Sequence, residues 1–467
     1  MKSVKSSKKY TIGEKSKLKR KYTLMTVFIF SSIFLVFISK SIFANTDNIL
    51  LYIYGVLVTF VLFLTLYYAF FKYQDPAILA EIKEREDLEK GIEPKRPLVT
   101  LMVAVYNEES IVEQCIASLI LQDYDNKEII IVDDGSTDNT PKILDQYTNE
   151  KNVKVIHQVN AGKKRALGQA MRESNGSIFI FTDSDSILAK DAVSRIVKVF
   201  NLYPDVGGVS GHFRLKNSKK NILTKAQDSW VEGQFSIRKA FESCFGAVTC
   251  VSGPLAAFRR ESIYNFIPAW EKDSFLGQEF RFSTDRTLTG FLLGNKYIGP
   301  KLKKKFADEY CVKSINYPEK DWKVVYAKSA KSWTVLPDNM KSLTRQHIRW
   351  KKSFLRNIFF TGSFYYHKPI IPVFVYYLHI LFVLVGPFIT FRHLIYMPLN
   401  GNIWSPFCYL FGIMFVGFIF GFAYKIENEN CHLWMYRPFM SLLSTLYLSF
   451  LIFISVFTIK KMVWHRD

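Results

Sequence analysis

A run of apolar residues long enough to cross a bilayer leaves a chain few options, and this chain has several such runs, all near its ends. Tyr22–Phe43 is interrupted only by Ser, Thr and Lys40, and Ile49–Phe71 follows after the short polar turn Asn45–Asn48. About 20 apolar residues suffice to span the hydrocarbon, so the pair reads as a transmembrane hairpin. A signal peptide is the alternative for the first run, but no small-residue cleavage site follows and a second span comes at once. Three further apolar blocks are Pro369–Phe391, Trp404–Tyr424 and Phe439–Ile459. Residues 1–21 hold nine Lys or Arg against one acid, Glu14, and the hairpin turn holds none. The positive-inside tendency then predicts a cytoplasmic N-terminus and a cytoplasmic central region. Five spans would leave Lys460, Lys461 and Arg466 outside. The expectation is an even number, with one block interfacial or a further span within Thr361–Leu399.

Charge and cysteine content narrow the class further. The 62 Lys+Arg against 41 Asp+Glu give a net charge of +21. With no nucleic-acid motif beside it, the excess reads as membrane topology and anionic lipid, and no nucleic acid is expected as partner. A hydrophobic content of 49% excludes a disordered chain or a collagen. The six cysteines form no CxxC pair, and four fall in the central region, where thiols stay reduced, so neither a disulfide framework nor a zinc site is indicated.

The middle of the chain follows a different pattern. Leu98–Val105, Ile129–Val132, Val153–Ile156 and Ile178–Phe181 are short apolar runs, separated by the helix-like stretches Glu108–Leu121, Pro141–Asn149 and Lys163–Ser174. This alternation predicts an α/β domain with a mostly parallel, doubly wound sheet. The organisation expected is a basic tail (1–21), a hairpin (22–72), a helical linker (73–97), the α/β domain (98–345), a segment of interfacial helices (346–368), a C-terminal membrane region (369–460) and a short tail (461–467).

Ligands of such sheets bind beyond the carboxyl ends of the strands, and there the acids collect. The first run leads into Tyr106-Asn107-Glu108, the second into Asp133-Asp134-Gly135-Ser136 and the fourth into Asp183-Ser184-Asp185. One such cluster is ordinary turn chemistry; three on one edge repel unless a cation sits among them, and hard oxygen ligands suit Mg2+ or Mn2+. Gly162-Lys163-Lys164-Arg165 follows the third run and opens a helix, a combination suited to a diphosphate. A nucleotide diphosphate with a divalent metal is therefore the expected ligand pair, and a P-loop is absent.

These residues resemble a known group. Val103-Ala104-Val105-Tyr106-Asn107-Glu108, the Asp133–Asp138 stretch and Asp183-Ser-Asp185 resemble the nucleotide-sugar half of the family 2 inverting glycosyltransferases, which have a GT-A fold. Gln346-His-Ile-Arg349-Trp350 resembles the QxxRW motif of the processive members, the cellulose, chitin and hyaluronan synthases, and its spacing puts all three residues on one helix face. Hyaluronan synthases look most alike. The stretch Phe245–Leu255, with Cys250, Ser252 and Gly253, resembles their FG-x-V-x-C-x-SGPL. Phe275-Leu276-Gly277, Asp285-Arg286-Thr-Leu288-Thr289, Arg349–Phe354 and Trp464 have counterparts too. Two departures stand out: Ser283-Thr284 replaces a Gly-Asp pair, and Lys164 is an added base.

The resemblance implies polymerisation of UDP-N-acetylglucosamine and UDP-glucuronic acid into hyaluronan, with the growing polysaccharide leaving through a multi-pass protein of the plasma membrane. It implies Asp285 as general base, Gln346 and Arg349 on the leaving diphosphate, and Trp350 with Cys250, Ser252 and Gly253 along the acceptor path. Asp183 and Asp185 would hold the metal. Ala104, Tyr106, Glu108, Asp134, Lys163, Arg165 and Asp183 would surround the donor. His347 has no catalytic part. Ser353–His367, with Lys351, Lys352 and Arg356 at its start, reads as an interfacial helix touching lipid. The alternatives are a chitin-type homopolymer synthase, a single-transfer enzyme acting on a lipid phosphate, and a non-catalytic export channel. Nothing in the sequence sets an oligomeric state.

Overall fold

Apolar runs buried on both faces build the sheet. The computed structural model describes residues 49–427 and 432–461 together with Ser31. The chain divides into two compact units. One comprises Gln74–Asn217, Glu242–Val373 and Ile454–Asp467, and contains every strand; the other comprises Met1–Tyr73, Ser218–Phe241 and Phe374–Phe453.

The strands of the first unit are β1 (Val99–Val105), β2 (Lys127–Asp133), β3 (Val153–His157), β4 (Ile178–Asp183), β5 (Ile187–Leu188), β6 (Val206–Leu215), β7 (Ala256–Arg259), β8 (Ser274–Phe275), β9 (Gln278–Glu279) and β10 (Lys323–Thr334). Eight of them form one sheet in the order β3-β2-β1-β4-β7-β6-β10-β5, and β8 and β9 form a separate hairpin. All seven residues of β1 are buried, as a strand with helices over both faces requires. β3, at the edge, has only half-buried and exposed positions.

The pairs β1·β2, β1·β4, β2·β3 and β6·β10 are parallel, whereas β7 runs antiparallel between β4 and β6. Parallel neighbours need crossovers, supplied by the helices Val112–Ile120, Thr140–Asp145 and Lys163–Arg172. The sequence order turns back on either side of β1, with β2 and β3 on one flank and β4 on the other. The carboxyl ends of β1 and β4 are therefore a topological switch point, where α/β sheets bind ligands.

The predicted linker is part of this unit. Its helix Pro76–Glu89 starts at Asp75, whose carboxylate accepts from Ala77 N at 3.0 Å and from Ser329 N of β10 at 2.7 Å. The predicted interfacial helix differs more. Met340–Phe360 is one continuous helix of 21 residues that carries Gln346, Arg349 and Trp350 and runs on through Ser353, with 3-10 turns at Thr361–Ser363 and Tyr365–His367. No Gly or Pro interrupts it, and Asn339 caps it by accepting from Ser342 N at 2.9 Å.

Among the described residues three helical stretches are long and apolar enough to cross a membrane: Ile49–Glu89, Ile370–Leu399 and Leu433–Phe457. Ser405–Gly421 is a shorter apolar helix. Thr361–Leu399 contains one such stretch, so no additional span lies there. Leu433–Phe457 is not one regular helix, since a π turn, Ser444–Leu448, divides it. The predicted spans Tyr22–Phe43, the hairpin turn and Trp464 lie outside the described residues.

Candidate active site

Three loops that follow β1, β2 and β4 are tied to one another by hydrogen bonds. After β1 the chain turns at Asn107, which holds a left-handed φ of 52°. Asn107 N donates to Ser136 Oγ at 3.0 Å, and its Oδ1 accepts from Thr137 N at 2.8 Å. Glu108 accepts from Ser184 Oγ at 3.1 Å, which joins the β1 loop to the β4 loop. Ala104, near the end of β1, is in register with Asp183. Tyr106 is 37% exposed on the rim.

Asp134 also holds the loop that follows β3. Its carboxylate is buried and accepts from Gln158 Nε2 at 2.7 Å, Ala161 N at 2.8 Å and Gly162 N at 2.9 Å. It thereby fixes the loop before the helix Lys163–Arg172, which Gly162 enters at a φ of 92° that suits glycine. The three bases that follow part company. Lys163 binds the Asp183 carboxylate. Lys164 points into the core, 3.0 Å from Asp273 and 2.7 Å from Phe280 O. Arg165 is half exposed and lies 3.4 Å from Glu279, lining a groove with Gln158, Gln169 and Arg172.

Asp183 and Asp185 stand at the end of β4. Asp185 accepts from Thr334 Oγ1 at 3.1 Å. Burial, and then the charge of Asp183, push the Asp185 carboxyl up to about 6, against the pull of Lys163, Thr334 and Ser186. A buried carboxyl raised by a second carboxylate beside it fits a divalent cation. Among the described residues no group of three or more His, Cys, Asp or Glu is placed to hold a metal ion by itself. A pair of aspartates suits an ion that takes its other ligands from water and phosphate.

The turn at Ser252-Gly253 reaches across to the same point. A Cβ on Gly253 would lie 2.9 Å from both carboxylate oxygens of Asp183, while Gly253 N donates to Asp285 Oδ2 at 3.3 Å. Gly253 therefore sets how closely these two acids approach. We expect Gly253→Ala to displace Asp183 and lower turnover by up to ~10²-fold, the scale of a 1 Å misplacement. Turnover and thermal unfolding measured side by side check this, and an unchanged melting temperature should accompany the loss. Cys250 Sγ lies 3.6 Å from Asp285 Oδ2, and Ser252 N donates to Ser210 Oγ at 3.4 Å.

Asp285 lies in the first turn of the helix Thr284–Leu293. Facing it is the helix Met340–Phe360. Burial pulls the Arg349 guanidinium down, opposed by Asp183, Asp285 and Asp185, so one cation answers all three acids. The same three raise Lys163 against its burial. Gln346 Oε1 is buried with no hydrogen-bond partner among the described residues, as an atom held ready for a ligand would be. Trp350 packs edge-on to His347, ring centroids 5.1 Å apart. Burial, and then Lys351, hold His347 down at about 4, so it is neutral and acts as a prop for the indole.

Asp183, Asp185, Asp285, Lys163, Gly253 and Arg349 thus come together, with Gln346 and Trp350 on the Arg349 helix. Thr334 was not legible, since nothing marks the end of β10 as close to the β4 loop. Cys115, whose thiol lies 3.6 Å from Asp183 O, also carried no motif.

The chain is similar to several known proteins. Residues 100–266 match the glycosyl transferase family 2 model. An N-acetylglucosaminyltransferase of Azorhizobium caulinodans is 29% identical over 284 residues, which cover 60% of this chain and 65% of that protein, a little under two thirds of its length. A hyaluronan synthase of Streptococcus pyogenes is 27% identical over 383 residues, 78% of this chain and 82% of the relative. Among solved structures, a mannosyltransferase from Pyrobaculum calidifontis in complex with GDP-Man and Mn2+ aligns at 18% identity with a TM-score of 0.44, covering 84% of this chain and 96% of that one. Residues 100–266 are a glycosyl transferase family 2 domain.

Proposed function

We propose that this chain is a processive, inverting hyaluronan synthase, which joins N-acetylglucosamine and glucuronic acid from their UDP donors and passes the polymer through its membrane region. The observation that carries the reading is the meeting of Asp183, Asp185 and Asp285 with Lys163 and Arg349 beside the helix of the QxxRW motif. The likeness to the streptococcal hyaluronan synthase over 78% of the chain supports the choice of polymer. The catalytic domain faces the cytoplasm of a plasma-membrane protein, where UDP-sugars are made.

In this reading the acceptor hydroxyl attacks the anomeric carbon of the donor sugar, the bond from that carbon to UDP breaks, and configuration inverts. Asp285 takes the hydroxyl proton; the Gly253 N–H and the Cys250 thiol orient its carboxylate. Trp350 offers its face to the acceptor sugar. Lys163 leaves Asp183 for the diphosphate, and Arg349 and Gln346 donate to the same group as its charge grows. A Mg2+ or Mn2+ ion on Asp183 and Asp185 would supply further positive charge to the leaving UDP. A polar polymer cannot cross hydrocarbon unaided, so one chain holding both the site and apolar spans suits coupled synthesis and export.

Radiolabel incorporation by the purified protein in detergent tests the reading. High-molecular-weight product that needs both donors and is cut by hyaluronidase is the expected result. The likeness to the rhizobial N-acetylglucosaminyltransferase favours a second reading, a chitin-type homopolymer, which product from UDP-N-acetylglucosamine alone would establish. UDP release without any polymer would end the processive reading.

A further inference from the structure

Ser283 is in a conformation that a serine adopts only under constraint. It precedes the helix Thr284–Leu293 at a left-handed φ of 67° and ψ of 43°, a region that favours glycine. Serine at such a position commonly caps the helix through its hydroxyl. Here the side chain makes no capping bond. Its hydroxyl instead faces the helix Met340–Phe360, where Ser353 Oγ donates to it at 2.6 Å and Asn357 Nδ2 at 3.0 Å. Ser353 and Asn357 are both buried, and Asn357 Nδ2 also donates to Ser353 O at 2.8 Å. A residue held in an unfavoured backbone, with its hydroxyl bonded twice to another helix and not to its own, marks a junction whose geometry the surrounding structure fixes.

The two helices it joins are the two that must be in register for the chemistry. Asp285 is two residues beyond Ser283. Gln346, Arg349 and Trp350 lie one to two turns before Ser353 on the same helix. Their segments are far apart in the chain, and the Gly253 turn hydrogen-bonds to Asp285 in the first. We propose that Ser283 is a positioning residue: through Ser353 and Asn357 it fixes the register of the base Asp285 against Arg349, Gln346 and Trp350. The proposal rests on the assignment of Asp285 as base.

Ser283→Gly separates geometry from folding, because glycine takes this φ without strain and cannot form the clasp. The expected result is a fall in kcat of between about 10- and 10²-fold, with the KM for UDP-sugar little changed and the melting temperature unchanged or higher. Activity is read as UDP released from UDP-N-acetylglucosamine and UDP-glucuronic acid supplied together. Ser353→Ala should give a similar fall, and the double variant should be no worse than either single one, as for partners in one interaction. Wild-type kcat in Ser283→Gly would overturn the proposal, as would losses that multiply in the double variant. If Asp285→Asn itself kept full turnover, the base assignment would fail, and this proposal with it. If Asp285→Asn is dead and Ser283→Gly is not, only the positioning role is lost. A wild-type protein that releases no UDP from these donors would overturn both.

Discussion

Asp285→Asn is expected to lower turnover by about 10²–10⁴-fold, the usual contribution of a general base, while leaving the fold and donor binding intact. The substitution is clean because of how the carboxylate is held. Asp285 Oδ1 accepts from Arg286 N at 2.8 Å and Oδ2 from Gly253 N at 3.3 Å. An asparagine has nearly the same shape and keeps its one acceptor oxygen for the shorter bond from Arg286 N, so the helix start is held, while its NH2 gives up only the long bond from Gly253 N. The ability to take a proton is lost. Arg349 and Lys163 each lose one of three acids, but Asp183 and Asp185 remain opposite both. Single-turnover transfer, UDP binding by calorimetry and a melting curve distinguish the outcomes. Retained transfer would point to another base. Lost UDP binding would show that Asp285 shapes the donor site rather than receiving a proton.

How much of this was legible in the sequence follows from which interactions are local. β1, β2 and β4 were readable because a parallel strand covered on both faces is an unbroken apolar run, and Val99–Val105 is buried at every position. Once those strands are known, the sheet-end rule brings Glu108, Asp134, Asp183 and Asp185 to one edge without a structure. β7 and β10 were not readable. β7 has four residues and pairs antiparallel with partners far away in the chain, and the register of β10 shifts at Tyr326/Lys331. The division of work among Lys163, Lys164 and Arg165 was equally hidden. Successive residues at the start of a helix point in different directions, and only their distant partners, Asp183, Asp273 and Glu279, decide which base faces the chemistry. Asp134 was placed at the donor by its motif, and the motif could not show that the same carboxylate also holds the loop that presents Lys163.

The second large effect lies away from the reacting atoms. Asp273 is 5% exposed and stands between two equally buried cations, with Lys164 on one carboxylate oxygen and Arg356 on the other. Arg356 also stacks on Phe360 at 3.9 Å, and its Nη1 is buried without a hydrogen-bond partner among the described residues. Removing the shared acid leaves two buried charges facing each other, and breaking a buried ion pair costs about 3–5 kcal/mol. Asp273→Ala should therefore lower the melting temperature by roughly 6–20 °C at ~2–4 °C per kcal/mol. The deficit should depend on pH with a definite sign. Burial already lowers the Lys164 pKa, and the charge of Asp273 opposes this most strongly. Without that acid the folded state holds the Lys164 proton less tightly than the unfolded state does. Stability then rises with pH, so the deficit should narrow as pH approaches the ordinary lysine value of about 10.4. Replacing all three members by apolar residues of similar volume should recover most of the loss, because such replacement of a buried ionic group is often neutral or stabilising. A deficit that is flat in pH would mean that Lys164 stays charged and has found water or another partner. Recovery of stability without recovery of turnover would assign the triad to holding the Lys163 helix against the Arg349 helix rather than to the strength of the fold.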